Sequence, residues 1–519
     1  MKKMCFRFIA LLAALVFCAS CSGKAASTPA PASSGDAAPA QNAPAQEAPP
    51  AAPAAATKLV MAFPTWTGAP PDTATVQKAM SDYLKEKLGV EIELQISDAG
   101  SFSQNMTLAL SSGEQIDIMS TLMAGYGNLV SQGYLLDLEE DGLFGSYGQG
   151  VIEAMGDPGF VDACRVNGIL YGLPNNRDLA QGRGCVSIGT EYLDAIGYKA
   201  PDNAPEIIPI TQAEVEELWA KLHEAFPDKE TYRPVAGSIQ QYTDIDFLGG
   251  SAFGVLLDYG KELKVVNLFE SAPYREYCDM IYGYNQKGYI SPDAATDTTD
   301  VLSLTAAGVL VGYTTGGKPG SKQQESNGAA RDMTILQTKG DLVASTSVAG
   351  MPWAIPITTI DKVAAMKTLN EFYVDPELAN MLAYGIKDVH YRVLDSGLAD
   401  YPEGKDATSN GFGTLPWLVM NQFNCYVWNG ADPDLWNNMR KFNQEANKSK
   451  ASGFAFDTAP VATELTAVQN VYTEYQASVE YGFVDPAIGI PEMNKKMMDA
   501  GLQKIIDEKQ RQLDIWAAN

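Results

Sequence analysis

This chain contains the segment KLVMAFPTWTGAPPDTATVQKAMSDYLKEKLGVEIELQI at residues 58–96, and the pattern of this segment predicts the fold class. The stretch opens with an apolar strand, KLVMAFPTW. In residues 72–88 the apolar side chains recur on one helical face, at Val76, Met80, Tyr83, Leu84 and Leu88. Gly89 ends that helix, and residues 90–96 then alternate apolar and polar side chains, which is typical of a half-buried strand. The order strand, helix, strand predicts a crossover unit of a parallel sheet.

The same alternation continues through two more helices and one more strand. A helix is predicted over 103–110, a strand over 116–121 and a helix over 126–131, which leads into GYLLDL at 133–138. Strands that alternate with single helices indicate the α/β class and a wound, mainly parallel sheet.

Beyond residue 174 the pattern changes to longer helices. Thr211 and Glu214 form a capping box in front of an apolar stripe that includes Trp219. Residues 309–317 and 351–358 are predicted as isolated strands, and the chain from about residue 434 onward as almost entirely helical.

The N-terminus has the features of an export signal. Three basic residues within the first seven precede the apolar run FIALLAALVFCAS, which is too short to span a bilayer permanently. The ending Ala19-Ser20-Cys21 resembles a bacterial lipobox, although Cys18 stands where leucine is usual. This resemblance implies a signal peptide over 1–21 and a lipid such as palmitate on Cys21, which becomes the new N-terminus. An ordinary signal peptide that is cut nearby is the alternative.

Residues 22–57 consist almost entirely of Ala, Pro, Ser and Gln, with no aromatic residue. Such a tract buries too little apolar surface to offset its chain entropy, so it is predicted to be disordered. Its prolines keep it partly extended, and it is interpreted as a semi-stiff spacer. An anchor, a spacer and a large body predict a protein held at the extracellular face of the cytoplasmic membrane.

Composition restricts the function of that body. The 519-residue chain has 37 Lys and Arg against 63 Asp and Glu, a net charge of −26. An acidic surface repels nucleic acid, because such binding depends on neutralising phosphates with basic side chains. About 460 residues follow the spacer, which is enough for two lobes or domains.

Cysteine and histidine usage gives no sign of a metal site or cofactor, and none is predicted. The body's four cysteines, Cys164, Cys185, Cys278 and Cys425, are scattered without metal-ligand spacing. They are interpreted as buried thiols, although a Cys164–Cys185 disulfide is possible in an exported protein. The chain has only two histidines.

Enzyme motifs are absent from the sequence. There is no GxSxG, no HExxH and no GxGxxG after a strand. Residues 312–318 match the first part of a phosphate loop, but Pro319 occupies the place of the Mg²⁺-binding Ser or Thr. We therefore predict that the chain is not an enzyme. A pair of catalytic carboxylates remains possible, because acidic residues are so numerous.

Aromatic residues in loop-like contexts indicate a binding site. Trp66 lies just beyond the first predicted strand, and Tyr126 follows the third. In open α/β sheets the ligand crevice lies at the carboxyl ends of the strands. Trp353, Trp417 and Trp428 lie in similar non-periodic contexts, and Asn175–Asp178 supplies polar groups. Aromatic faces beside such groups suit a sugar, although each ring could equally be a packing residue. The predicted ligand-binding residues are Trp66, Tyr126, Asn176, Arg177, Trp353 and Trp417.

Several segments together resemble the extracellular solute-binding proteins of ABC importers, in the sugar-associated family. They include the opening strand–helix–strand, Gly133–Leu138 and Tyr171–Pro174. Tyr384–Tyr391 (YGIKDVHY) looks like the YGIEGKHY element of LipO-like lipoproteins, from which Lys387-Asp388-Val389 departs. Gly453–Asp457 and the ending AGLQKIIDEKQRQLDIW are similar to the C-terminal domain of that subgroup, which is often connected with import of aldouronate or other complex oligosaccharides.

This resemblance implies a two-lobe clamp of the type II periplasmic-binding-protein class, with discontinuous lobes and a helix-rich C-terminal region. Lobe one is predicted over 58–172 plus 296–345, and lobe two over 173–295 plus 346–519. Ligand binding would shift an open–closed equilibrium by hinge motion. The implied partners are an oligosaccharide, ABC permease subunits and the membrane through the lipid anchor, for a monomer that binds no nucleic acid.

Three alternatives remain open from the sequence. The same clamp could bind a peptide, an amino-sugar compound or another solute. The chain could be a surface carbohydrate-active enzyme with a pair of carboxylates. It could also be a sensor subunit that reports a sugar to a membrane kinase.

Overall fold

The computed structural model describes residues 56–235 and 237–518, so the predicted signal peptide, Cys21 and nearly all of the spacer lie outside the described residues. The described chain forms an α/β fold with two main sheets. Its strands are β1 (Thr57–Thr65), β2 (Val90–Asp98), β3 (Ile118–Ser120), β4 (Arg165–Val166), β5 (Ile169–Leu170), β6 (Gly172–Leu173), β7 (Gln181–Gly189), β8 (Ile207–Pro209), β9 (Glu230–Arg233), β10 (Leu310–Gly317), β11 (Met333–Gln337), β12 (Asp341–Val343), β13 (Trp353–Ala354), β14 (Arg392–Val393), β15 (Ala399–Asp400) and β16 (Asn447–Lys448).

The helices are distributed along the whole described chain. They are α1 (Thr73–Leu88), α2 (Ala99–Ser112), α3 (Tyr126–Ser131), α4 (Leu143–Tyr147), α5 (Gln149–Met155), α6 (Pro158–Asp162), α7 (Thr190–Ala195), α8 (Gln212–Ala225), α9 (Ser238–Tyr242), α10 (Ala272–Gln286), α11 (Val301–Ala306), α12 (Ser321–Ala329), α13 (Ser345–Ala349), α14 (Lys362–Val374), α15 (Pro376–Tyr384), α16 (Leu435–Glu445), α17 (Ala462–Glu480), α18 (Pro486–Asp499) and α19 (Leu502–Ala518). None of the helices in the described residues combines the length and the apolar character that a membrane span requires.

The first sheet has the strand order β2-β1-β3-β13-β6. β1 pairs in parallel with β2 and β3, which confirms the predicted crossover unit. α1 ends at Gly89, whose φ of +69° is the left-handed conformation that glycine adopts most readily. The chain then returns as β2, where Ile92 lies opposite Leu59 of β1.

The second sheet is built around β7. This strand pairs antiparallel with β10 on one side and with β11 and β12 on the other. β9 continues the sheet beyond β10, in parallel. α8 packs near this sheet, and its capping box between Thr211 and Glu214 is formed as predicted.

Each sheet has its own hydrophobic core, and these cores define two lobes. The first lobe comprises residues 56–174 and 346–445, and its core includes Phe63, Met80, Trp353, Phe372 and Met420. The second lobe comprises residues 181–343 and 447–518, and its core includes Trp219, Tyr232, Phe253, Tyr274 and Leu513. The chain crosses between the lobes three times, near residues 175–180, 344–345 and 446.

The lobes differ from the predicted division in two segments. Residues 296–345 were assigned to lobe one, but β10, β11 and β12 in this segment pair with β7 of the second sheet. Residues 346–445 were assigned to lobe two, but β13 completes the first sheet and α14 packs into the first core. The predicted assignment of these two segments is wrong, because strand pairing over more than a hundred residues leaves no local pattern in the sequence.

The C-terminal helices belong to the second lobe. Lys509 of α19 is fully buried, and its Nζ donates hydrogen bonds to Leu248 O at 2.6 Å, Gly254 O at 2.9 Å and Ser251 Oγ at 3.0 Å. Burial lowers the pKa of Lys509 to about 7. Lys509 therefore fixes the loop 248–254 to α19 with a side chain that titrates near neutral pH.

Candidate functional site

The carboxyl edge of the first sheet carries two tryptophans that lie together. Trp66 follows β1 directly, and its side chain is 54% exposed. Trp417 lies half-buried in a short 3-10 helix, Pro416–Leu418. The ring centroids are 6.4 Å apart, and the ring planes are inclined by 36°. Both rings belong to the first lobe, whereas Trp417 was predicted to face Trp66 from the second.

Fixed neighbours hold each tryptophan in place. Thr65, the last residue of β1, is buried, and its Oγ1 donates a hydrogen bond to Gly68 O at 2.5 Å. This bond closes the turn on which Trp66 lies, with Gly68 at a φ of +75°. Leu418 anchors the other ring, because its side chain is buried in the first core.

The first crossing between the lobes starts next to this pair. Asn175 Nδ2 donates to Leu418 O at 2.6 Å, and the amide of Asn176 donates to Met420 O at 2.8 Å. Asn176 was predicted to contact the ligand, but it is only 5% exposed and its Nδ2 donates to Ala154 O at 2.6 Å. The structure therefore makes Asn176 a residue that fixes the crossing segment.

Arg177 and Asp178 lie on the crossing segment itself. Arg177 Nη1 is 2.8 Å from Asp178 Oδ1, and Lys318, which follows β10, pairs with the other carboxylate oxygen of Asp178. Burial alone would raise the pKa of Asp178, but the two cations outweigh it and hold this pKa below its usual value. The ion pairs link the crossing segment to the second sheet, and the Arg177 side chain stays partly accessible, at 21% exposure.

Asn443 of α16 fixes the remainder of this segment. Its Oδ1 accepts hydrogen bonds from the amides of Leu179 and Ala180, both at 2.9 Å. Its Nδ2 donates to Arg177 O at 2.6 Å. The predicted site residue Arg177 is thereby held by both its backbone and its side chain.

Two other predicted site residues are buried by the protein. Trp353 has no exposed surface, packs against Phe63 at 6.0 Å between ring centroids, and donates from Nε1 to Leu418 O at 2.8 Å. A ring with no exposed face cannot stack on a ligand, so the prediction for Trp353 is wrong. Tyr126 is 4% exposed, and its hydroxyl donates to Cys164 O. Tyr126 also lines a cavity of about 190 Å³ together with residues 454–456 of the second lobe, so its contact with a ligand stays a prediction.

A groove beside the tryptophan pair was missed by the sequence reasoning. It begins with a cavity of about 410 Å³ that is lined by Thr67, Pro70, Pro71, Tyr401 and residues 407–413. Residues 401–413 read YPEGKDATSNGFG, a loop rich in glycine and small polar residues with an aromatic residue near each end. That composition could have indicated the groove, because loops of this kind commonly carry binding residues.

The described residues contain neither a candidate metal site nor a disulfide. Within 56–235 and 237–518, no group of three or more His, Cys, Asp or Glu side chains is arranged to hold a metal ion. The four cysteines are free and buried, so the possible Cys164–Cys185 disulfide is not formed. Burial raises the pKa of the thiols of Cys164 and Cys425, which leaves them protonated at neutral pH.

The chain has two discontinuous lobes joined by three crossings, with accessible aromatic rings at the sheet edge beside the first crossing. This is the architecture of a two-lobe clamp. Residues 450–518 match the family described as Domain of unknown function (DUF3502). Over 452 residues the chain is 24% identical to a carbohydrate ABC transporter substrate-binding protein of Streptococcus pneumoniae, covering 84% of this chain and 86% of that protein.

Solved structures agree with this class. The crystal structure of the N-glycan transport solute binding protein (NgtS) from Streptococcus pneumoniae matches with a TM-score of 0.76 at 22% identity, over 89% of this chain and 99% of that chain. The structure of the same protein with Man5GlcNAc matches with a TM-score of 0.61 over the same shares of both chains. The chain therefore has the fold of the solute-binding proteins, and the resemblance drawn from its sequence is confirmed.

Proposed function

We propose that this chain is the solute-binding component of an ABC import system and captures an oligosaccharide between its two lobes. The accessible pair Trp66 and Trp417 is the observation that carries this proposal. Large apolar side chains that stay exposed at a concave edge commonly mark a binding surface. The relatives named above support a carbohydrate as the ligand, because one is named for carbohydrate transport and another for N-glycan transport.

The chemistry of the pair suits a sugar ring. A pyranose presents C–H groups on its faces and hydroxyls around its rim. Trp66 and Trp417 offer the apolar faces, and the Arg177 guanidinium, on the adjacent crossing segment, offers hydrogen-bond donors. Trp66, Trp417 and Arg177 are therefore the proposed ligand-binding residues.

The crossing segments serve as the hinge in this proposal. Ligand bound between the lobes stabilises the closed arrangement, because it gains contacts there that the open arrangement lacks. The closed form then docks on permease subunits in the membrane, and a separate ATPase supplies the energy. The chain acts as a monomer. Residues 312–317, which match part of a phosphate loop, lie within β10, and this favours a role as one component of a larger system.

One experiment separates binding from turnover. The mature protein is mixed with a glycan panel, melting temperatures identify a stabilising glycan, and isothermal titration measures its affinity. The glycan is then recovered, and its molecular mass is measured by mass spectrometry. We expect it to be returned intact, whereas a cleaved glycan would indicate a surface enzyme and absence of any stabilising glycan would contradict oligosaccharide binding.

The lipid anchor is part of the proposal and has its own test. Cys21→Ala should remove the lipidation site and release the protein from the membrane fraction, while the body still folds. The measurement is the amount of protein in the membrane pellet after a salt wash, because salt screens ionic adhesion but not a lipid chain. A Cys21→Ala protein that stays in the washed pellet would overturn the anchor.

A further inference from the structure

The groove beside the tryptophan pair continues into a second cavity. This cavity has a volume of about 310 Å³ and is lined by Ala383, Tyr384, Tyr401, Asn410, Phe412, Gly413, Thr414, Pro416 and Trp428. It shares four lining residues with the first cavity, namely Tyr401, Asn410, Phe412 and Gly413. The two cavities are therefore adjoining parts of one groove, which we call the distal groove.

The distal groove is continuous with the proposed sugar site. Thr67, which lines the first cavity, follows Trp66 in the chain, and Pro416, which lines the second, precedes Trp417. A ligand stacked on the tryptophan pair can thus extend into the groove without leaving the surface of the protein.

Three aromatic rings form the far end of the groove. The ring centroids of Tyr401 and Trp428 are 4.8 Å apart with planes at 67°, and those of Tyr384 and Trp428 are 5.0 Å apart with planes at 53°. All three rings are partly exposed. Inclined aromatic faces of this kind form a corner that can contact a sugar ring on more than one side.

The side chain of Asn410 supplies a carbonyl oxygen that has no hydrogen-bond partner among the described residues. Asn410 is 6% exposed, and its Nδ2 donates to Phe412 O at 2.6 Å. Its Oδ1 has no hydrogen-bond partner among the described residues, although Asn410 lines both cavities. A buried, unpaired carbonyl oxygen is costly unless a ligand or water donates to it, so Asn410 points to a ligand with hydroxyl donors.

The walls of the groove are uncharged. Its polar lining residues are Thr67, Thr408, Ser409, Asn410, Thr414 and the tyrosines, and no Asp, Glu, Lys, Arg or His is among the residues that line either cavity. A uronic acid or an amino sugar would lose its hydration there without meeting an opposite charge. Neutral sugar units fit this lining best.

The groove belongs to the first lobe alone. The amide of Asp72 donates to Gly411 O at 3.0 Å, and Phe412 is buried in the first core. On the opposite wall, the amide of Ala399 donates to Val427 O at 2.8 Å and the amide of Asn429 donates to Ala399 O at 2.7 Å, and these two bonds hold the backbone on either side of Trp428. Closure of the two lobes therefore does not build this groove, and it is present in the open form.

We infer that the distal groove is a second carbohydrate subsite, which takes neutral sugar units of the same chain whose other end lies on Trp66 and Trp417. This inference rests on the proposed function and adds to it the class of ligand, a neutral oligosaccharide longer than a disaccharide. The first lobe holds such a chain over several units before the second lobe closes on one of them.

The test uses a pooled library of neutral and uronic-acid oligosaccharides, from disaccharides to decasaccharides. The mature protein is passed with the library through a gel-filtration column, and mass spectrometry identifies the retained glycans. Isothermal titration then gives affinities for the longest retained glycan and for its shortest retained fragment. Trp428→Ala removes one wall of the groove. Tyr401→Phe removes a hydroxyl that makes no hydrogen bond to the described protein. Trp436→Ala is the control, because Trp436 is also a half-buried tryptophan of the first lobe but lines neither cavity.

We expect Trp428→Ala to weaken the long glycan by about tenfold or more and the short fragment by less than about twofold. Tyr401→Phe should weaken the long glycan by a few-fold, and Trp436→Ala should change neither. Equal effects on both glycans, retention of disaccharides only, or preferential retention of uronic-acid chains would overturn the inference while leaving the proposed function in place. Retention of no glycan by the wild-type protein would instead overturn the proposed function, and the inference with it.

Discussion

The first lobe has tryptophans in two opposite settings. Trp66 and Trp417 lie at the edge of the first sheet, which we call the rim, whereas Trp353 lies in the core directly beneath it. Trp417 on the rim precedes Leu418, and the carbonyl of Leu418 accepts the hydrogen bond from Trp353 in the core. The two indoles thus lie beside the same backbone group. Trp353 is enclosed by Phe63 and other core side chains, whereas the partner of Trp417 is Trp66, itself 54% exposed. An aromatic ring whose faces are covered by the protein contributes to stability, and one with an open face is available to a ligand.

The largest expected effect separates core from rim by stability. Trp353→Ala should lower the free energy of unfolding by about 3–5 kcal/mol, because it leaves a cavity and removes the hydrogen bond to Leu418. Trp66→Ala is the matched rim variant and should change this free energy by no more than about 0.5 kcal/mol. Urea titration measures both. Equal losses in the two variants would remove the distinction between core and rim.

A second prediction extends the comparison to the buried cation of the second lobe. The pKa of Lys509 is about 7 in the folded protein and near 10.5 when unfolded, so the unfolded state binds more protons between these values and stability rises with pH. Between pH 7 and pH 9 the wild-type protein should gain about 2 kcal/mol of unfolding free energy relative to Lys509→Met. The measurement is the difference between the two proteins, because other groups titrate in both. A difference that does not change with pH would show that Lys509 keeps an ordinary pKa.

A smaller effect concerns the arrangement of the lobes. Small-angle scattering of the mature protein should give a smaller radius of gyration with a saturating, tightly bound oligosaccharide than without it. A ligand that binds the open and closed forms equally does not shift the equilibrium between them. Compaction should therefore accompany only ligands that bind the closed form more tightly. Equal radii with such a ligand would contradict hinge closure about the three crossing segments.

Much of the fold could be predicted from the sequence, because its signals are local. The helical face of residues 72–88 and the glycine that follows it predicted α1 to within one residue, and the predicted helix 126–131 is α3. The strand at 351–358 is shorter than predicted, since only Trp353 and Ala354 pair with neighbouring strands. The assignment of residues 296–345 to lobe one was wrong because β10 pairs with β7, which lies more than a hundred residues earlier in the chain.

The site was harder to predict than the fold. Trp353 and Trp417 both stand in non-periodic stretches next to proline, and only their three-dimensional neighbours distinguish the buried ring from the accessible one. Asn176 looked like a polar ligand group, but the crossing of the chain at this point places it against Ala154 O. The groove residues Tyr401 and Asn410 were missed, because a loop sequence does not reveal which loops it meets in the fold.

The most direct test of the account is a paired measurement on Trp66→Ala and Trp417→Ala, with the oligosaccharide that the library identifies. We expect each variant to lose about 2 kcal/mol of binding free energy, roughly thirtyfold in affinity by isothermal titration, while its melting temperature stays that of the wild-type protein. A lowered melting temperature with undiminished affinity would contradict it, because the two tryptophans would then be packing residues like Trp353.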